Sequence, residues 1–467
     1  MSIAWEYVDG QRRLPEGFFG PPEERGEDWP DDPELRAAVE WFIELLGHDE
    51  WERKRTEVAE FFYSSPEEKV TFDSRGRYFD SSDTFAWYLF HAEAFLDYVW
   101  HYEPMTGSKA VPVFKALGQR MDLLKAIPNV EERARRIFGS ERSQPNGGLF
   151  ELLVASKYAE LGATVSFKPE QPGIAKTHDL DVELSGRKFA VECKRMDAGD
   201  YAESERARAR VLWGPVANQF VRLRRSVFCN ANFLVPLEDV PDDYLLSKAH
   251  EFLSGDASNL IWNDEIGWGG IGNVDLAPLN QHLEDYDVLI DGTLFHEFIA
   301  GVYIRNASII QTTRHMTDAS PRHMSECDLA IMLRWASVSH DSIERKARDI
   351  TRHLARANEQ LPDDCDAIVH IGFDAVDRAE VEVRRRQRIF ETVNNFDPGD
   401  KRLCRVYCHW FAPESPPHEA WAYDETVNWF DFVPDMPQNF AGAMTVVMPE
   451  SADFREGVHW EPSDQTP

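Results

Sequence analysis

The sequence predicts an α/β protein with a helical N-terminal domain, a mixed-sheet core and an α/β C-terminal extension. Three observations carry that expectation. Apolar residues recur at helical spacing through residues 34–139. The polar stretch Gly139-Ser-Glu-Arg-Ser-Gln-Pro-Asn-Gly-Gly148 then breaks the pattern. Beyond it, short β-branched and aromatic runs alternate with amphipathic helical segments.

Residues 1–33 hold Pro-Glu-Gly, Gly-Pro-Pro-Glu-Glu and Trp-Pro-Asp-Asp-Pro, and read as an irregular arm. The helical domain occupies 34–139. Its clearest helices are Leu35–Leu46 and Thr84–His101. The second carries Phe85, Trp87, Tyr88, Phe90, Phe95, Tyr98 and Trp100. Such aromatics can stack on bases, but their density at helical spacing favours a packed core. The core domain is placed at 140–255. It opens with a helix over Leu149–Leu161, closed by Gly162. Strands follow at Ala163–Pro169, Asp179–Leu184 and Lys188–Lys194. A basic helix, Ala202–Arg225, is kinked or split by Pro215, and Ser226–Leu237 forms another strand.

The α/β extension is placed at 256–449. Gly267-Trp-Gly-Gly-Ile-Gly272 lacks a Gly-Lys-Ser/Thr ending and reads as a loop, not a phosphate cradle. Strands are expected at Leu329–Leu333, Asp366–Phe373 and Leu403–Phe411. One long helix is expected over Ser342–Gln360 and another over Ala379–Thr392. The tail, 450–467, reads as disordered.

A chain of 467 residues suits two or three domains, and 43% hydrophobic with 28% charged residues is a globular composition. The first residues lack the basic and apolar regions of a secretory signal, and no run reaches the roughly 18 apolar residues of a membrane span. The expectation is therefore a cytoplasmic protein with no membrane partner. Six scattered cysteines are too few for a disulfide scaffold. Cys404 and Cys408, followed by His409, have no second Cys/His pair nearby to complete a zinc site, and read as small apolar strand residues.

The net charge of −32 opposes any binding mode that tracks phosphates over the whole surface. Nucleic-acid contact would have to use local basic islands. Arg206, Arg208, Arg210, Arg222, Arg224 and Arg225 form one; Arg345, Lys346, Arg348, Arg352 and Arg356 a second; Arg384, Arg385, Arg386 and Arg388 a third. Each reads equally well as a solvated helix face with acidic partners.

The chemistry concentrates in Asp179-Leu-Asp-Val-Glu-Leu-Ser-Gly-Arg-Lys-Phe-Ala-Val-Glu-Cys-Lys194. This reads as a β-hairpin turning at Ser185-Gly186 or Gly186-Arg187. Alternation puts Glu192 and Lys194 on one face. A two-residue turn would bring Asp179 and Asp181 to that same face. Glu151 lies in the nearly all-apolar turn Leu149-Phe-Glu-Leu-Leu-Val-Ala155, where a carboxylate is costly unless paired or bound to a cation. Carboxylates are hard oxygen ligands for Mg²⁺, and a nearby ammonium can orient water or stabilise a phosphodiester transition state. The bland alternative is a solvated hairpin with cross-strand charge pairs, which leaves Glu151 unexplained. His178, beside Asp179, reads as a local structural histidine.

The order of a helix with Glu, a strand, a strand with Asp and a strand with Glu-x-Lys resembles the PD-(D/E)XK nuclease superfamily, the restriction-endonuclease-like fold, over residues 145–237. Val191-Glu-Cys-Lys-Arg195 is most similar to its resolvase and type IV restriction-enzyme relatives. The resemblance implies a metal-dependent endonuclease. Asp181 and Glu192 would bind Mg²⁺ (or Mn²⁺), with Glu151 as the accessory carboxylate and Lys194 assisting the attacking water. No proline precedes either aspartate, which keeps Asp179 as the alternate; Asp181, 11 residues before Glu192, has the more typical spacing. The partner implied is nucleic acid, with DNA favoured because the similar families mostly act on it. The competing reading is a non-catalytic nucleic-acid-binding or assembly protein that keeps the fold.

Overall fold

Asp32 starts the first helix, Pro33–Leu46: its carboxylate accepts the Leu35 N–H at 3.0 Å, and Pro33 supplies the preset first-turn backbone. The computed structural model describes residues 6–8, 11–14, 18–19, 31–64, 80–169, 177–196, 199–317, 322–436, 444–449, 451–452 and 457–460. In the arm, β1 (Glu6–Val8) pairs antiparallel with β2 (Gln11–Arg13). The helical region continues with His48–Phe62, Thr84–Asp97, Pro104–Gln119, Met121–Lys125 and Val130–Phe138. Phe85, Trp87 and Phe90 are buried against Phe42, Phe62 and Phe114, so these aromatics fill a core. That core continues into Val191, Tyr407 and Phe411, so the helices pack directly on the sheet that follows.

The helix Asn146–Glu160 leads into β3 (Thr164–Phe167), β4 (Leu180–Leu184) and β5 (Arg187–Met196), each antiparallel to the one before. Ser185 and Gly186 both take positive φ, 52° and 77°, the geometry of a two-residue hairpin turn. The turn sets the register Leu184 with Arg187 and Asp181 with Ala190. The chain then leaves this sheet. The helix Asp200–Leu223 runs unbroken through Pro215, whose exposed side faces solvent with Val211, so the carbonyl that loses its N–H partner can turn to water.

The strand after it, β6 (Val227–Phe233), belongs to a second sheet. There it joins β7 (Asn259–Asn263), β8 (Gly267–Asn273), β10 (Ser308–Met316) and β12 (Glu326–Ser337) in the order β10-β12-β6-β8-β7; β9 (Val288–Leu289) and β11 (His323–Met324) form a small pair apart. The 226–237 run read above with the core is thus paired elsewhere. The glycine run read as a loop is strand β8. A Cβ at Gly267 or Gly269 would stand 2.4 or 2.2 Å from a carbonyl oxygen of β6, so glycines here permit close pairing instead of marking a loop.

The chain returns to the first sheet through the helix Thr351–Gln360. The single helix expected over 342–360 is two, His340–Lys346 and Thr351–Gln360. Ala347 breaks it with ψ 63°, and Arg388 holds the exposed ends by donating to the Glu344 and Ala347 carbonyls at 2.9 and 3.0 Å. Next, β13 (Asp366–Asp374) lies parallel to β5. The helix Ala379–Asn394 leads to β14 (Leu403–Glu414), parallel to β13, and β15 (Ala422–Asp431) closes the edge antiparallel. The sheet order is β15-β14-β13-β5-β4-β3, so the molecule is mixed α/β with mixed sheets. The Asn146–Glu160 face buries Val191 and Cys193; the opposite face buries Ala190, Val369 and Leu354.

A polar chain crosses the first face. Tyr158 meets His370 at 2.8 Å, His370 meets His409 at 3.0 Å, and His409 meets Glu425 at 3.1 Å. Glu425 accepts the N–H groups of Val446, Val447 and Met448, which ties the 444–449 segment to the sheet. Cys404 and Cys408 are buried in β14 as apolar packing. Part of the expected disordered tail is also packed. His459 meets Thr426 at 2.8 Å, and Trp460 covers Trp410 with centroids 5.9 Å apart. Among the described residues, no helix is long and apolar enough to cross a membrane.

Candidate active site

The hairpin register places Asp179 opposite Glu192. Beyond the last pair of β4 with β5, the Asp179 N–H still donates to the Val191 carbonyl at 3.1 Å. The Asp179 carboxylate accepts the Cys193 N–H at 2.8 Å. Glu192 is wholly buried in mid-strand. One of its oxygens, Oε1, takes the Lys194 ammonium and the Gln360 amide, the latter at 2.8 Å. The other, Oε2, is buried without an N–H donor. Gln360 comes from the end of the Thr351–Gln360 helix, which covers this face.

Glu151 stands on the Asn146–Glu160 helix, which packs on the sheet face opposite the Glu192 side chain, and is linked to Asp179 and Glu192 by charge and not by contact. It is held by Arg133, whose Nε and Nη2 both donate to it, Nη2 at 2.9 Å; Arg133 Nη1 binds Glu141 at 2.9 Å. Gly148 makes room for this pair: a Cβ there would lie 2.8 Å from Arg133 Nη2. Arg133 and Gln360 were not visible in the sequence pattern. Both act across long sequence separations, and only the fold reveals them.

The electrostatics mark these residues as one unit. Burial raises Glu151 to about 7, helped by the Asp179 charge and opposed by Arg133. Burial and then Glu192 raise Asp179 to about 7, against the pull of Lys194. Burial raises Glu192 to about 7, with Lys194 opposing and Glu151 adding to the rise. Burial alone would lower Lys194, but Glu192 and Asp179 outweigh it and leave its ammonium above the ordinary value. Three carboxyls are thus coupled by charge to one another and to two cations, Lys194 and Arg133, and burial and mutual repulsion oppose their ionising together near neutral pH.

Asp181 stands outside this group. It is half-exposed, and its oxygens accept from His178 at 2.7 Å and Lys168 at 3.1 Å. Both contacts, together outweighing its desolvation, hold it below the usual aspartate range. The structure therefore brings together Asp179, Glu192 and Lys194, couples Glu151 to them by charge, and sets Asp181 apart with His178. Alternation gave Asp179 and Asp181 the same sheet face; position along the strand separates them.

As the side chains stand, no group of three or more His, Cys, Asp or Glu among the described residues is arranged to hold a metal ion. Glu151 is turned to Arg133 and Glu192 to Lys194. Two carboxylates with substrate oxygens and water are nevertheless the usual Mg²⁺ environment. Glu192 Oε2 meets no N–H donor, and Glu192 is coupled to the Asp179 carboxyl by a hydrogen bond that needs a proton on one of the two. A cation could stand in for that proton, and this is the observation that fits one.

The basic islands differ in use. Arg384 and Arg388 pair with Glu344, and Arg385 with Glu382 and Asp377. Arg345 pairs with Glu238 and Lys346 with Glu205; Arg206 pairs with Glu203 and Arg208 with Asp242. Arg352 and Arg356 are exposed and have no acidic partner among the described residues. Burial lowers His353, and the charges of Arg348, Arg356, Lys194 and Arg352 lower it further, so the helix that carries Arg352 and Arg356 brings positive charge to the Lys194 side of the sheet. Comparison with protein families, with curated proteins and with solved structures finds no match for this chain.

Proposed function

We propose that the chain is a divalent-cation-dependent nuclease of the restriction-endonuclease-like kind, acting on DNA, with Glu151, Asp179, Glu192 and Lys194 as its active-site residues. The observation that carries this reading is the charge imbalance: three carboxyls, Glu151, Asp179 and Glu192, driven to about 7 against two cations, Arg133 and Lys194, with a buried oxygen on Glu192 that meets no N–H donor. The element order supports it. A helix bearing Glu151 precedes three antiparallel strands that bear Asp179 and Glu192-Cys193-Lys194, as the resemblance requires. The second sheet is then an insertion between β5 and β13.

Asp179 and Glu192 would hold the cation, with Glu151 behind them. A bound Mg²⁺ or Mn²⁺ supplies charge neutralisation at the phosphate and an acidified water. Lys194 carries a proton on Nζ at neutral pH and sits where developing negative charge can be met. Arg352 and Arg356 bind flanking phosphates, so a strongly acidic protein can still approach a polyanion on one face. Gln360 holds Glu192 in orientation through its amide.

The test is incubation of wild type and Lys194→Ala with supercoiled, linear and single-stranded DNA in Mg²⁺, Mn²⁺ or EDTA. Wild type should cleave only with the metals. Lys194→Ala, still folded and still binding, should be slower by on the order of 10²–10³-fold, the loss of about 3–4 kcal/mol of transition-state stabilisation. Equal cleavage by both proteins would place any activity elsewhere. Metal-independent binding with no cleavage by wild type would favour the non-catalytic reading.

A further inference from the structure

The outer face of the second sheet is half covered. Over β10 and β12 it packs beneath the helix Thr293–Ala300, with Met332 and Ile309 in that core. Over β6, β8 and β7 it opens as a trough of about 630 Å³. Alternation decides what lines it. Cys229, Ala231 and Ile271 point to the buried side, so Phe228, Asn230 and Trp268 point outward with Ile261. Gly270 and Gly272 leave the floor between Trp268 and Phe228 without side chains.

Two features of this face are not explained by folding. Trp268 is 44% exposed and Ile261 78% exposed, both on a sheet whose other side is a complete core. Arg334, on β12 beside Asn230, has no carboxylate partner among the described residues. Its Nε donates to Asn230 at 3.2 Å and its guanidinium lies 5.0 Å from the centre of the Phe228 ring. Burial lowers its affinity for its proton and nothing opposes this, so the site favours an incoming anion. Asp275, the carboxylate on the rim, is already engaged by the Ala277 N–H at 2.9 Å.

We propose that this trough binds single-stranded nucleic acid, with a base stacked on Trp268 and a phosphate at Arg334. The inference rests on the nucleic-acid reading above and names a second contact for the same substrate. Trp268 is registered with Asn232 and Arg334 with Asn230, two strands and two residues apart. Sheet spacings make that about 12 Å, a span a short extended strand can cover. A duplex keeps its bases stacked on each other and offers no free face to a tryptophan. The smooth glycine floor and the exposed Asn259 amide suit an unpaired base.

The experiment uses the full chain in EDTA, which separates binding from cleavage. Anisotropy of a labelled single-stranded oligonucleotide and of its duplex is measured for wild type, Trp268→Ala, Trp268→Phe, Ile261→Glu and Arg334→Gln. Trp268→Ala should bind the single strand about tenfold or more weakly, Trp268→Phe should keep most of the affinity, and duplex binding should not change. Arg334→Gln should also reduce the slope of log affinity against log salt by about 0.7, the mark of one lost phosphate contact. Wild-type single-strand affinity in folded Trp268→Ala and Ile261→Glu overturns the proposal. So does conversion of a dimer to a monomer by these variants with single-strand affinity unchanged, since the face would then seat a second copy. Loss of single-strand binding in the variants, with no metal-dependent cleavage by wild type, upholds the trough and defeats the nuclease reading. Cleavage by wild type with indifferent trough variants does the reverse.

Discussion

Replacing Asp179 with Asn should stabilise the cation-free protein at alkaline pH. The Asp179 carboxyl moves from an ordinary 3.8 to about 7 on folding, because burial and the Glu192 charge disfavour its ionised form. A difference of about 3 in pKa is worth about 4 kcal/mol. That is a ceiling, since Glu151 and Glu192 titrate with it and one proton relieves all three; about half, roughly 2 kcal/mol, is expected from one neutralised member. The sign follows from proton binding. The folded state holds protons more tightly than the unfolded state, so this contribution is present at low pH and is lost as pH rises through about 7. Asn keeps an oxygen to accept the Cys193 N–H, so the hairpin end is preserved. The assay is thermal or urea unfolding in EDTA from pH 5 to 8.5. Wild type should lose stability from pH 5 to about 7 and level off above it, and Asp179→Asn should lose less and exceed wild type by a few degrees at pH 8.5. If Mg²⁺ binds as proposed, it should raise wild type more than the variant, because the cation site would exist only in the folded state. A variant no more stable than wild type at pH 8.5, with an equal pH slope, would refute the crowded-carboxyl argument.

Further outcomes follow from the same geometry. Arg133→Met should destabilise by about 2–4 kcal/mol at pH 8, because it strands the part-buried Glu151 carboxylate without its partner; at pH 6 the loss should shrink as Glu151 takes up a proton, and Glu151→Gln in that background should recover most of it in urea unfolding. Arg352→Gln with Arg356→Gln should weaken DNA binding and flatten its salt dependence, whereas Arg384→Gln, which loses the Glu344 pair, should leave binding unchanged in anisotropy titrations.

Much of the site was legible because its logic is local. A two-residue turn and strict alternation are enough to align Asp179, Glu192 and Lys194, and an acid in an apolar helical turn flags Glu151. The choice between the aspartates was not legible. Both share a face, and what separates them is Lys168 and His178 drawing Asp181 outward while the Cys193 N–H fixes Asp179 inward. Arg133 and Gln360 were hidden because their partners lie 18 and 168 residues away. The excursion of the chain into a second sheet was hidden for the same reason: nothing in Val227–Phe233 states which sheet it will join. Glycines misled at β8, where the usual loop composition serves close strand pairing.

In the proposed nuclease, Asp179, not Asp181, stands with Glu192 and Lys194 in the hydrolytic site. Metal-dependent DNA cleavage by Asp179→Asn and Asp181→Asn, each checked for folding, tests it most directly. Asp179→Asn should abolish cleavage, and Asp181→Asn, which removes a half-exposed carboxylate paired to Lys168 and His178, should cleave within about threefold of wild type. Full activity in Asp179→Asn, with loss in Asp181→Asn, would contradict the account.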